Sequence, residues 1–229
     1  IEETSGSIEF SLDDKFIFYS KLDEHHRPRT IYRHKIGTPV KEDKLIFEEK
    51  SEAFTVGIGL SSDEKYFMIT SSDHNTSEQY YFKIDENNPN PKLIQKRKRG
   101  IIYSVNSWDG YFYKHTNENA EDFKIDRCND LVEQNWEPFV NAKDEVLIGG
   151  LVFLNHWIIR SETSNALGKI ILRNPKTNEE EEIVFSDEKV IVPSISLIQK
   201  DKDTDNVYLS YSSPKTPGRT FLYLSLIHI

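Results

Sequence analysis

Five places in the sequence bring together residue types that can do chemistry. Glu24-His25-His26 offers two imidazoles beside a carboxylate, the raw material of a metal site. Neighbouring residues of an extended chain point to opposite faces, and no further His or Cys follows at ligand spacing. The pair therefore reads as part of a loop. His74 with Ser71 or Ser77 has the types of a nucleophilic dyad but no sharp turn to expose a serine and no placed acid, so a polar inter-strand loop is the better reading. Cys128 stands beside Arg127, whose charge would favour a thiolate; plain packing is the competing reading. Gly57-Ile58-Gly59 is too short for a dinucleotide fingerprint and lacks the following helix. Lys96-Arg97-Lys98-Arg99 is the basic run, and it reads as a solvated turn. No metal, cofactor or catalytic residue is assigned.

Acidic residues show more order. They recur after similar strands: Asp23 and Glu24, then Asp73 and Glu78, then Glu118, Glu121 and Asp122, then Glu162. Two readings stand. The loops could share one face and form an acidic mouth that steers cationic peptides, with Asp23, Glu24, Asp73, Glu121 and Asp122 as the steering set. Alternatively, they keep turns soluble and satisfy turn backbones.

The elements that position these loops follow from a repeat. Apolar-aromatic runs begin at Phe16, Tyr66, Tyr111, Trp157 and Val207, at spacings of 50, 45, 46 and 50 residues. Each follows a turn: Asp13-Asp14-Lys15, Asp63-Glu64-Lys65, Asp109-Gly110, Asn155-His156 and Asp205-Asn206. Second strands are expected at 30–36, 79–84, 122–126, 169–173 and 220–224, and third strands at 44–47, 92–95, 137–140 and 182–185. Strands before the next turn are expected at 54–58, 101–105, 146–154 and 190–198. Helical periodicity is nearly absent. Four antiparallel strands in each repeat of about 45–50 residues is the pattern of β-propeller blades. The fold class is therefore all-β, a partial propeller of four to five four-stranded blades near residues 10–50, 54–96, 101–141, 146–186 and 190–223. A large antiparallel sandwich would explain the strands but not their common register.

Charge and composition exclude several functions. Lys and Arg number 29 against 38 Asp and Glu, a net charge of −9, which disfavours nonspecific nucleic-acid binding. One cysteine excludes an internal disulfide. No apolar run reaches the roughly 18 residues of a membrane span, and no membrane role is expected.

The stretch Leu22-Asp23-Glu24-His25-His26-Arg27-Pro28, with Arg33-His34-Lys35-Ile36-Gly37-Thr38 after it, resembles the propeller of the prolyl oligopeptidase family of serine peptidases, in its oligopeptidase B branch. The resemblance continues through Asp73 to Glu78, Thr116-Asn117, Ala120 to Phe123, Asn135-Trp136, and Tyr211 to Pro214 with Thr216-Pro217. It covers Glu9 to Tyr223, with Pro214 departing from the expected apolar residue. The resemblance implies a cytoplasmic oligopeptidase whose seven-bladed propeller caps an α/β-hydrolase domain with a Ser-Asp-His triad. It also implies short basic peptides as substrates, cut after Lys or Arg, and the hydrolase domain of the same protein as partner. No Gly-x-Ser-x-Gly occurs in these 229 residues, so no triad residue is carried over. The alternative function is a stand-alone propeller that binds peptides or proteins without catalysis.

Both ends read as other than natural termini. The chain starts Ile1-Glu2-Glu3 without Met, as an internal piece would. Leu224 to Ile229 matches a translated sequencing-adapter end, the alternative being a genuine edge strand. Residues 224–229 are set outside the fold for that reason.

Overall fold

The computed structural model describes residues 1–184, 192–196, 204–213 and 215–224. Nineteen strands are arranged in five antiparallel sheets among the described residues. The first sheet contains β1 (Thr4–Phe10), β2 (Phe16–Leu22), β3 (Pro28–Lys35) and β4 (Lys44–Glu48), in that order. The second contains β5 (Thr55–Leu60), β6 (Tyr66–Ser72), β7 (Ser77–Lys83) and β8 (Lys92–Gln95). The third contains β9 (Tyr103–Trp108), β10 (Tyr111–Thr116), β11 (Lys124–Cys128) and β12 (Glu137–Val140). The fourth contains β13 (Leu147–Phe153), β14 (Ile158–Ser164), β15 (Leu167–Arg173) and β16 (Glu180–Glu182). The fifth shows β17 (Val192–Ser196), β18 (Asn206–Ser212) and β19 (Arg219–Leu224). Each sheet is a meander in chain order, as in a propeller blade.

Turn chemistry explains why the strands reverse where they do. Between β1 and β2, Ser11 Oγ donates to Asp13 Oδ1 at 2.8 Å and accepts the Phe16 N–H at 3.0 Å. Between β5 and β6 the same device recurs: Ser61 Oγ donates to Asp63 at 2.7 Å and accepts the Tyr66 N–H at 3.0 Å. Asp14 and Glu64 take the equivalent left-handed position, with φ of 53° and 56°. A Ser-x-Asp-x-Lys sequence thus builds one turn twice. The β9–β10 reversal is tighter: Asp109 and Gly110, both at positive φ, close a two-residue hairpin under the Trp108–Tyr111 pair.

The chain divides into two compact units, residues 1–118 with 127–137, and residues 119–126 with 138–229. In the first unit the second sheet is buried on both faces. Val56, Phe67, Ile69 and Phe82 pack with Phe18 and Ile31 of the preceding blade, whereas Met68 and Tyr81 pack with Tyr103, Val105 and Phe112 of the following blade. Alternation along β6 sends successive side chains to opposite neighbours, which is why its sequence is an unbroken apolar run. The second unit has its own core of Leu154, Ile159, Ile170, Leu172, Val207 and Leu209.

The structure adds β1, a strand that the turn-based reading of the first repeat had not named. It also moves the third strand of the fourth blade from 182–185 to Glu180–Glu182, where Arg173, Leu172 and Ile171 set the register. Expected strand residues 185, 190–191 and 197–198 lie outside the described residues, as do Pro214 and residues 225–229; Leu224 closes β19 by pairing with Asn206. No helix among the described residues is long and apolar enough to cross a membrane.

Candidate functional site

The carboxylates expected to face solvent fall into two groups. Asp23 and Asp73 sit at the same place in consecutive blades, at the start of the loop after the second strand. Asp23 Oδ1 accepts the N–H groups of His25 at 2.8 Å and Arg27 at 3.0 Å. Asp73 Oδ1 accepts those of Asn75 at 2.9 Å and Thr76 at 2.8 Å. Both are Asx turns, with the side chain substituting for a backbone acceptor. The bond from the Arg27 backbone, with those of His25 and the nearby Arg27 and Arg29 charges, holds the Asp23 carboxyl below its ordinary range. Glu24, at the tip, keeps 87% of its side chain exposed, 3.7 Å from His25. His26 occupies a left-handed turn position, φ 58°, so the two histidines serve the turn.

Glu121 is exposed and Asp122 half-buried, both in the second compact unit. The Asp122 carbonyl accepts the Ile148 N–H at 2.9 Å.

Glu78, Glu118 and Glu162 depart from the expected acidic mouth, because each accepts a hydrogen bond from a cationic side chain. Glu78 is 4% exposed on β7 and accepts Arg97 Nη2 at 3.0 Å, the Arg97 N–H at 2.8 Å and Tyr80 Oη at 2.7 Å. The same Arg97 Nη2 reaches buried Glu49 at 2.6 Å, and Ser71 Oγ donates to Glu49 as well. Burial alone would push both carboxyls up, but these bonds prevail and hold Glu49 and Glu78 below the ordinary range. Arg97 also lies 4.0 Å over the Phe54 ring. Glu118 takes Lys98 Nζ at 2.6 Å and Gln95 Nε2 at 3.0 Å. The basic run is a largely exposed turn, with Lys96, Lys98 and Arg99 facing solvent, but its second and third residues also neutralise carboxylates of the same unit. In the second unit, Glu162 is 6% exposed and bound by Lys143 at 2.6 Å and Arg160 at 2.7 Å. Sequence reading missed both networks. The one available signal was a carboxylate inside a strand rather than in its loop.

The nucleophile candidates are also accounted for. Ser71 is bonded to Glu49, and Ser77 Oγ donates to the Tyr103 carbonyl and accepts its N–H, both at 2.6 Å. His74 is exposed in the loop between them. Cys128 ends β11, buried, with its thiol donating to the Asp130 carbonyl at 3.3 Å, and burial pushes its pKa up to about 11. It is a protonated packing residue at neutral pH.

Residues 1–225 match the family described as the prolyl oligopeptidase N-terminal β-propeller domain. The chain belongs to that family. Its propeller is 32% identical over 228 residues to Protease 2 of Moraxella lacunata, covering 94% of this chain and 31% of that protein. It is 26% identical to dipeptidyl aminopeptidase BI of Pseudoxanthomonas mexicana, over 96% of this chain and 31% of that protein. Among solved structures, oligopeptidase B from Trypanosoma brucei with covalently bound antipain superposes with a TM-score of 0.89 at 23% identity, over 97% of this chain and 33% of that one. This likeness shows the fold: the five sheets are blades of a β-propeller. The propeller spans about a third of the length of the relatives it matches.

Proposed function

We propose that this propeller is the substrate-admitting part of a serine oligopeptidase that hydrolyses short peptides after Arg or Lys. The observation that carries the reading is the family match over residues 1–225. The relative named Protease 2 and the structural likeness to an oligopeptidase B support the peptidase class; the basic preference is what the sequence resemblance implies. The hydrolysing groups belong to a hydrolase domain of the same protein, since the 229 residues hold no Gly-x-Ser-x-Gly. Asp23, Glu24, Asp73, Glu121 and Asp122 act at a distance by raising the local concentration of cationic peptides. Glu24 and Glu121 are the strongest members of that set, because both are exposed and neither builds a turn as Asp23 and Asp73 do.

The test uses the intact protein that carries this chain. A capped di-arginine fluorogenic peptide is hydrolysed and a fluorophosphonate abolishes the activity; its proline counterpart is spared. No hydrolysis, or cleavage after proline instead, overturns the reading. Exchanging Glu24→Gln with Glu121→Gln lowers kcat/KM for the di-basic peptide and leaves kcat nearly unchanged. The deficit shrinks as salt rises, because exposed charges are screened beyond about 8–10 Å at physiological ionic strength. An unchanged kcat/KM returns the acidic loops to a solubility role.

A further inference from the structure

β5 and β9 are the first strands of consecutive blades, and each is the open edge of its sheet. In an antiparallel pair, residues that exchange bonds with the partner strand alternate with residues whose N–H and C=O point away. The Asn117 N–H bond to the Ile102 carbonyl sets the phase for β9, so Tyr103, Val105 and Ser107 point outward. The preceding blade meets all three. Ser77 Oγ bonds both backbone groups of Tyr103 at 2.6 Å, Gln79 Oε1 accepts the Val105 N–H at 2.6 Å, and the Ser107 carbonyl accepts the Asp63 N–H at 3.2 Å.

The Ser61 N–H bond to the Tyr66 carbonyl sets the phase for β5, so Val56, Ile58 and Leu60 point outward. Ser20 Oγ reaches the Val56 carbonyl at 3.4 Å, and among the described residues no strand pairs with β5 beside Ile58 and Leu60 on that side. The side chains alternate the other way. Val56, Ile58 and Leu60 pack with Phe18 and Phe67, whereas Gly57 and Gly59 face the following blade. A Cβ on either glycine would meet nothing within 4 Å. That open space belongs to a cavity of about 430 Å³, lined by Gly57 to Leu60, Met68, Thr70 and Gln79 and, across the gap, by Ser104, Val105 and Asn106.

We infer that β5 is a docking edge for an extended peptide, which adds to the sheet as a further strand and places a leucine-sized side chain in the cavity beside Gly57 and Gly59. A peptide residue opposite Ile58 exchanges both backbone bonds with it. Its two neighbours then lie opposite Gly57 and Gly59, with their side chains on the cavity side. Met68 and Val105 give the cavity an apolar part that rewards an aliphatic group, while the glycines let a second backbone approach. The ligand class deepens the proposed peptide handling and rests on it only for the choice of a peptide; recognition here is through main chain and an apolar side chain, not through charge.

The probe is an end-capped, fluorescein-labelled heptapeptide alternating serine and leucine, without Lys or Arg, titrated into the intact protein and read by fluorescence anisotropy. Binding should fall at least about tenfold on Gly59→Val, which occupies the part of the cavity beside Gly59 with a residue suited to a strand. It should fall equally when leucine is replaced by glycine in the probe, or when the amide facing Ile58 is N-methylated. Gly59→Val should leave the thermal midpoint unchanged or higher, so a loss of binding is not a loss of fold. No binding, or binding insensitive to both Gly59→Val and N-methylation, overturns the inference. Hydrolysis of the di-arginine peptide is measured in parallel. Probe binding without hydrolysis sinks the peptidase reading and leaves this site standing; hydrolysis without probe binding does the reverse.

Discussion

Asp73 and Glu78 lie five residues apart across one hairpin start, and they have opposite surroundings. Asp73 faces water and uses its carboxylate to fold a turn of four residues. Glu78 is buried at the seam between blades and shares Arg97 with Glu49. The first carboxylate could be neutralised at little cost. The second is ionised only because a guanidinium, a tyrosine hydroxyl and a backbone N–H replace the water it lost. Sequence acidity therefore measures neither surface charge nor function until the partners are known.

The largest effect should come from removing the shared cation. Arg97→Ala leaves Glu49 and Glu78 buried without a counter-charge. It should cost about 3 kcal/mol, the low end of the range for broken buried pairs, because Arg97 keeps 25% of its side chain exposed. Urea denaturation at neutral pH reads the cost, and a loss under about 1 kcal/mol would make the seam equivalent to a surface pair.

Acid should erase that difference. Glu49 and Glu78 have folded pKa values below the ordinary 4.5, so their contribution is fully present above that value and is lost as pH falls through the folded values. The gap between the native protein and Arg97→Ala should narrow steadily below about pH 4.5 in the same denaturation series. A gap independent of pH would mean that Arg97 acts through packing on Phe54.

Gln79→Ala should cost about 2 kcal/mol, because the Val105 N–H loses its acceptor inside the first unit's core. Hydrogen exchange should localise the damage to Val105; uniform loosening of the unit would contradict the capping role assigned to Gln79.

In the exposed loops the effects are smaller. Asp73→Ala should cost about 1 kcal/mol through the lost Asx turn, and Asp73→Asn should recover most of it, since an amide oxygen still accepts. Glu24→Gln should change stability by less than about 0.5 kcal/mol. If Glu24→Gln were as costly as Arg97→Ala, the division between seam and loop carboxylates would collapse.

Much of the fold was legible in the chain because its causes are local. The Ser-x-Asp-x-Lys turns, the Asp109-Gly110 hairpin and the apolar runs near fifty-residue spacing are each decided by neighbours in sequence. Those features determine where strands reverse and which residues alternate, and so the meander of every blade. Asp23 and Asp73 as turn builders were legible for the same reason, as one of the two readings their positions allowed. Contacts between blades were not legible. Arg97 is 48 residues from Glu49, and Gln79 is 26 from Val105. No local pattern says which strand carboxylate meets a cation or which strand edge is capped. Gly57 and Gly59 illustrate the limit: in sequence they were a failed nucleotide motif, and only packing of the second blade against the third turned their missing side chains into a cavity beside an open edge. Local hydrogen bonding and alternation fix the blade. Burial, and the satisfaction of polar groups across the seams, is decided when blades meet.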